Sequence, residues 1–343
     1  MELPENAGAF ASLTHPTSAI LAVTAKIPDN SAMTPPVKSA PLPPLKPLLH
    51  PKHWLSWLLL GLSWLYSRLP FALGMALSRS LKPLIKPFMK KRVAIIKQNL
   101  AACFADKSPQ ERAEMLDQNL TALASMPGET IYVWWRSRAF IKHIGSIQGF
   151  EHIETAQREG KGILLLSVHS TCMEIGSGLL TAKTPIGAIY RPHKNPVMEY
   201  MALRVRTRKS VYMIKKREVR TAMRYLREGG ALWYTADMDM RGEQSLFVPF
   251  FGIQTATMTA PLRLTKAGKA VVIPMMPIRL PGNRFRLEIL PPLDDFSGDD
   301  QRDLQQVNAV LEQMIRMAPE QYWWIHRRFK TRPPGEPPFY SSD

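Results

Sequence analysis

Cysteine is scarce in this chain. Cys103 and Cys172 are the two in 343 residues, which excludes a disulfide framework and fits a reducing compartment. No second histidine or cysteine stands at ligand spacing beside Cys172, so no metal site is read, and no sequence pattern calls for a cofactor. Acidic residues are also few, 28 against 45 lysines and arginines, and the resulting net charge of +17 calls for an anionic partner. Zinc-finger spacing, a basic heptad region and an RNA-binding aromatic signature are all missing, which argues against nucleic acid. An anionic membrane surface or an acidic protein remains. Nor is there a long apolar run free of interruption. Trp54 to Met75 reaches the roughly 20 residues of a membrane span only by taking in Arg68 and Pro70. Apolar residues at 45% exclude global disorder.

The organisation follows from local composition. Residues 1–51 carry prolines throughout, most densely in TPPVKSAPLPPLKPLLHP, and read as a disordered proline-rich arm. Residues 52–80, with WLSWLLLGLSWLY at their head, read as a single N-terminal membrane anchor, either a transmembrane helix or an interfacial helix with Trp and Arg at headgroup level. Lys82, Lys86, Lys90, Lys91 and Arg92 follow, and a spanning anchor would place them and the rest of the chain in the cytoplasm. Residues 81–340 form the remaining domain. Helical patterning runs from Arg92 to Trp135, with Ser108 and Glu111 spaced as a capping box. From about residue 145, Ile163–Val168, Ile186–Tyr190, Ala231–Thr235 and Ala270–Met276 alternate with helical stretches, and Phe285–Leu290 reads as an antiparallel addition. The fold class is α/β, with a mostly parallel central sheet flanked by helices.

The segment richest in chemistry is GILLLSVHSTCMEIG, Gly162 to Gly176. Four apolar residues after a glycine read as a strand covered on both faces. His169 falls at the carboxyl end of that strand, where α/β sheets gather ligands. Ser170 or Thr171 is spaced to cap a following helix, and Glu174 falls in its first turn. A carboxylate there can accept from one imidazole nitrogen and leave the other as a base. The helix N-terminus would favour developing negative charge. The competing reading is a structural histidine.

Other segments add to this. Tyr190-Arg191-Pro192 follows a strand, and the helix after it carries Arg204, Arg206, Arg208 and Lys209 without alternation of sign, which suits phosphate groups. Asp237 and Asp239 lie just past another strand end, placed to pair with an arginine or orient a substrate. Val248-Pro249-Phe250-Phe251-Gly252 reads as an apolar turn. PEQYWWIHRRFKTRP joins aromatics to a basic exit, where Arg328 is a further candidate for the positive face.

VHSTCME, YRPHKNPV, WYTADMD, FVPFFG, the PPL turn at 291–293 and PEQYWWIHRRFKTRPPG together resemble the late acyltransferases of lipid A biosynthesis in Gram-negative bacteria, of the lauroyl and myristoyl transferase type. These lie within the lysophospholipid acyltransferase-like superfamily. The resemblance runs from about Leu81 to Tyr340. It implies His169 and Glu174 as a catalytic dyad, and Arg206 and Asp237 as active-site residues; Arg191, Arg204 and Arg208 join the substrate face by their charge alone. It implies acyl carrier protein as donor, a lipid A precursor as acceptor, and a place on the cytoplasmic face of the bacterial inner membrane. The chain departs from the family in its proline-rich arm and in reading TADMDMRG at the acidic block. Two other readings are an acyltransferase of glycerolipids or lysophospholipids, and a membrane-tethered binder of anionic lipid.

Overall fold

The computed structural model describes residues 39–239, 244–293 and 296–340. The first 38 residues of the proline-rich arm lie outside them. Residues 39–51 are described, and Ala40 and Leu48 within them are buried. The Ala40 N–H donates to the Met213 carbonyl at 2.9 Å, and a four-residue helix, α1 (Leu45–Leu48), follows.

The anchor segment divides in two. Helix α2 (Trp54–Tyr66) ends short of Pro70, and α3 (Phe71–Ser80) begins after it. At 13 residues α2 is about 20 Å long, against the roughly 30 Å of a bilayer core. Among the described residues no helix is long and apolar enough to cross a membrane. The expectation of a transmembrane helix is corrected accordingly: Pro70 has no N–H to continue the ladder, and the chain turns there. Three more helices follow, α4 (Lys82–Phe88), α5 (Lys90–Cys103) and α6 (Pro109–Trp135). The Ser108–Glu111 capping box forms as read, with Glu111 N–H donating to Ser108 Oγ and Ser108 N–H to Glu111 Oε2.

The α/β part then runs α7 (Arg138–Ile144), β1 (Gly145–Gln148), α8 (Phe150–Arg158), β2 (Gly162–Ser167), α9 (Met173–Leu180), β3 (Ile186–Tyr190), α10 (Pro196–Arg208) and β4 (Val211–Lys215). It continues α11 (Val219–Arg227), β5 (Ala231–Thr235), β6 (Ser245–Phe250), β7 (Ile253–Met258), α12 (Ala260–Gly268), β8 (Ala270–Leu280), β9 (Arg284–Ile289) and α13 (Asp300–Met317). The strand order is β1-β9-β8-β2-β5-β3-β4. Every pair from β8 to β4 is parallel, while β9 is antiparallel to β8, as expected for that segment. The hairpin β6–β7 is an addition the sequence reading took only as a turn; it closes at Phe251 and Gly252, both at positive φ.

Strand β2 is buried along its whole length. Ile163 and Leu165 join the hydrophobic cluster on one face of the sheet, Leu164 and Leu166 the cluster on the other, as a central strand's period of two requires. Gly162 starts it because α11 passes too close for a side chain: a Cβ there would meet the Leu226 carbonyl oxygen at 2.1 Å.

Beneath the His169 loop lies a buried ion pair between β8 and α6. Arg279 meets Glu129 with Nε–Oε1 at 2.5 Å and Nη2–Oε2 at 2.8 Å. Glu129 is 1% exposed and Arg279 11%. Removing one partner strands the other in low dielectric, so Glu129→Ala is expected to cost about 3–5 kcal/mol, read from chemical denaturation. A cost below about 1 kcal/mol would show the pair to be dispensable.

Candidate active site

Parallel pairing of β2 with β5 brings the chemistry together. Ser167 is in register with Thr235, and each strand then runs two residues further to a titratable side chain, His169 on one and Asp237 on the other. His169 Nδ1 lies 2.7 Å from Asp237 Oδ1, and the His169 backbone N–H donates to Oδ2 at 3.1 Å. Asp237 is fully buried, whereas the His169 side chain remains 28% exposed and so can be reached. An ionised carboxylate only accepts, so Nδ1 carries the proton and Nε2 presents its lone pair. The Thr235 hydroxyl lies 3.3 Å from that Nε2.

The electrostatics follow from this pairing. Burial opposes the imidazolium of His169, but the charge and hydrogen bond of Asp237 outweigh it, and the net shift is upward from the ordinary histidine value. Burial alone would raise Asp237; the charge and hydrogen bond of His169 more than reverse that and hold it well below the carboxylate range.

The carboxylate on His169 is therefore Asp237, and Glu174 is turned elsewhere. Glu174 does fall in the first turn of α9, but its Oε1 accepts from Arg206 Nη2. The physical reason is the path of the chain. Residues 170–172 are drawn into pairing with the C-terminal segment, with Ser170 bridged to Tyr322 and Thr171 N–H donating to the Gln321 carbonyl at 2.8 Å. Helix α9 then starts without a side-chain cap from Ser170 or Thr171, and its first turn faces α10. Arg206 also feels Glu199, which accepts from Tyr190 Oη at 2.9 Å.

The remaining basic residues fall into different settings. Arg191 is exposed on the loop after β3, and Arg208 is exposed on α10. Arg204 is half-buried, with Nη1 3.3 Å from Tyr200 Oη. Lys209 is pushed down to about 8 by burial and then by Arg138, with Glu174 pulling the other way. Arg328 is only 2% exposed and donates to the Ala256 carbonyl and Thr257 Oγ1. It belongs to the interior, which corrects its place on the positive face. The Val248–Gly252 segment likewise packs into the core, with Val248 and Phe250 fully buried. No group of histidine, cysteine or acidic residues able to hold a metal occurs among the described residues.

The sequence reading missed what the C-terminal motif does. Trp323 N–H donates to the His169 carbonyl at 3.0 Å, and a ring nitrogen of His326 faces the Asp237 carbonyl at 3.1 Å. The aromatic and basic pattern of that motif gave no sign of the two residues it touches.

Comparison with known proteins gives the family. The family model for bacterial lipid A biosynthesis acyltransferase matches residues 44–331. The lipid A biosynthesis lauroyltransferase of Escherichia coli K12 is 36% identical over 296 residues, covering 85% of this chain and 97% of that protein. The palmitoleoyltransferase of the same organism is 33% identical, covering 85% and 96%, and the myristoyltransferase is 29% identical, covering 85% and 91%. A chain matched over nearly its whole described length, with a histidine–carboxylate pair at the carboxyl edge of its sheet, belongs to the bacterial lipid A biosynthesis acyltransferases.

Proposed function

We propose that this acyltransferase moves a fatty acyl chain from the thioester of acyl carrier protein to a hydroxyl of an acylated, phosphorylated glucosamine disaccharide. The hydroxyl oxygen attacks the thioester carbonyl carbon while its proton passes to His169 Nε2. Asp237 holds the opposite nitrogen and balances the imidazolium that forms. The tetrahedral adduct collapses with cleavage of the carbon–sulfur bond, and the departing thiolate takes the proton from His169. No covalent acyl-enzyme is required. Glu174 acts through Arg206, holding its guanidinium in place by an ion pair. Arg191, Arg204 and Arg208 offer charge to the acceptor's phosphates and to the acidic carrier.

The observation that carries this reading is the 2.7 Å contact from His169 Nδ1 to buried Asp237, in a chain of this family. The test is transfer by the purified protein in lipid vesicles, supplied with acyl carrier protein thioester and a lipid A precursor, with product masses recorded. A mass gain of one acyl chain is expected; an acceptor unchanged across both substrates would overturn the reading.

The same proposal places the protein at the cytoplasmic face of the inner membrane, lying in the interface. Helix α2 buries only Leu60, while Leu55 is 68% exposed, Leu58 58%, Leu62 52% and Leu65 60%. Leu73 and Leu77 on α3 and Phe88 on α4 are exposed as well. Apolar surface of this extent, flanked by Lys82, Lys86, Lys90, Lys91 and Arg92, suits an anionic bilayer surface. Replacing Leu58, Leu62 and Leu65 together by glutamate should weaken binding to anionic vesicles about a hundredfold, at roughly 1 kcal/mol for each leucine. Flotation unchanged from that of the parent chain would remove this face from the account.

A further inference from the structure

Three contacts place one short turn of the C-terminal segment against both members of the His169–Asp237 pair. Trp323 N–H donates to the His169 carbonyl at 3.0 Å. Three residues later His326 Nε2 stands 3.1 Å from the Asp237 carbonyl, and His326 Nδ1 stands 2.9 Å from the Trp323 carbonyl. The turn thus bridges the residues that follow β2 and β5, touching each through its backbone carbonyl.

The turn is itself held rigidly by buried amides. Asn119 on α6 donates from Nδ2 to the carbonyls of Glu320 and Tyr322, at 2.8 and 2.9 Å. Asn99 on α5 does the same to Trp324 and His326, at 2.8 and 3.0 Å, while its Oδ1 accepts from Tyr340 Oη at 2.7 Å. Asn99 is 1% exposed and Asn119 0%. Buried amides that bridge carbonyls two residues apart fix a backbone path that no regular ladder supports.

We propose that His326 is a positioning residue for acyl transfer, donating from Nε2 to the Asp237 carbonyl so that the Asp237 carboxylate stays aligned on His169. This rests on the His169–Asp237 reading of the site. A carbonyl only accepts, so each ring contact of His326 is a hydrogen bond only when that nitrogen carries a proton. Burial lowers its tendency to charge, and a neutral ring donates from one nitrogen. The Trp323 carbonyl also receives the His326 backbone N–H, at 3.4 Å. With the proton on Nε2 the ring donates to the Asp237 carbonyl, and the Trp323 carbonyl is left with the backbone N–H. Around the Asp237 carboxylate stand His169, His326, Arg328 and the hydroxyls of Tyr322 and Tyr234. Losing the His326 contact frees the Asp237 backbone, loosens the carboxylate from Nδ1, and lowers the pH at which His169 becomes neutral.

The experiment is steady-state transfer from acyl carrier protein thioester to lipid A precursor, measured across pH for His326→Ala, His326→Gln and His326→Asn. His326→Ala should lower kcat about 10–100-fold, as a misplacement near 1 Å does, with KM within about twofold and the acid limb moved to lower pH. Glutamine reaches the same carbonyl and should recover most of kcat and the original limb; asparagine, one methylene shorter, should not. An alanine variant with parental kcat and an unmoved limb would overturn the proposal. If alanine does not fold, equal rates and equal limbs in the glutamine and asparagine variants would overturn it instead. His169→Ala and Asp237→Asn run in the same series, and full activity in those two would sink the underlying reading of the site rather than the role of His326.

Discussion

Replacing His169 by alanine is expected to reduce acyl transfer about 10²–10⁴-fold, the usual contribution of a positioned general base. The fold should survive the change. The His169 side chain is 28% exposed, and the backbone contacts of its loop, to Gln321, Trp323 and Asp237 Oδ2, do not use the ring. Asp237 loses its ring partner and keeps the His169 backbone N–H, so the melting temperature should fall with the chain still folded at assay temperature, while product formation collapses. Near-full transfer by a folded alanine variant would remove His169 from the mechanism.

The second large effect is expected at Asp237. Asp237→Asn keeps the shape but presents an amide where Nδ1 needs an acceptor of negative charge. The ring is then free to take the wrong tautomer, and the forming imidazolium loses its counter-charge, so a loss of about 10²–10⁴-fold is expected. Glu174→Gln should also lower activity, by a different route, because it releases Arg206 rather than the imidazole. Rates of product formation with saturating substrates compare the two. An asparagine variant as active as the parent would mean that the 2.7 Å contact is structural only.

What was legible in the sequence was local. The apolar run Ile163–Leu166 with a histidine at its end, the strands at Ile186–Tyr190 and Ala231–Thr235, and the Ser108–Glu111 box all depend on neighbours within a few residues. The pairing of His169 with Asp237, 68 positions away, depends on β5 lying beside β2, and strand order is set by packing between distant helices. Given that order, the register alone would have found it, since both residues stand two positions beyond the paired ends Ser167 and Thr235. Glu174 was the nearer carboxylate in sequence, and its diversion to Arg206 follows from Ser170 and Thr171 pairing with the C-terminal segment. Arg328 was hidden within a basic run: Arg327 and Lys330 are exposed, while Arg328 points into the core. The β6–β7 hairpin was masked because its turn is Phe251-Gly252 rather than the Asn-Gly or Asp-Gly that marks such turns.

The pH dependence of kcat/KM bears most directly on the central claim, that Asp237 tunes His169 as the base. His169 must be neutral to accept a proton, and Asp237 raises its pKa above the ordinary value near 6.5. The acid limb of the parent enzyme should therefore lie above 6.5. It should move to lower pH in Asp237→Asn, where neutrality is reached more easily, and stay in place in Glu174→Gln, whose carboxylate is engaged with Arg206. A limb that moves in Glu174→Gln and stays fixed in Asp237→Asn would contradict the account.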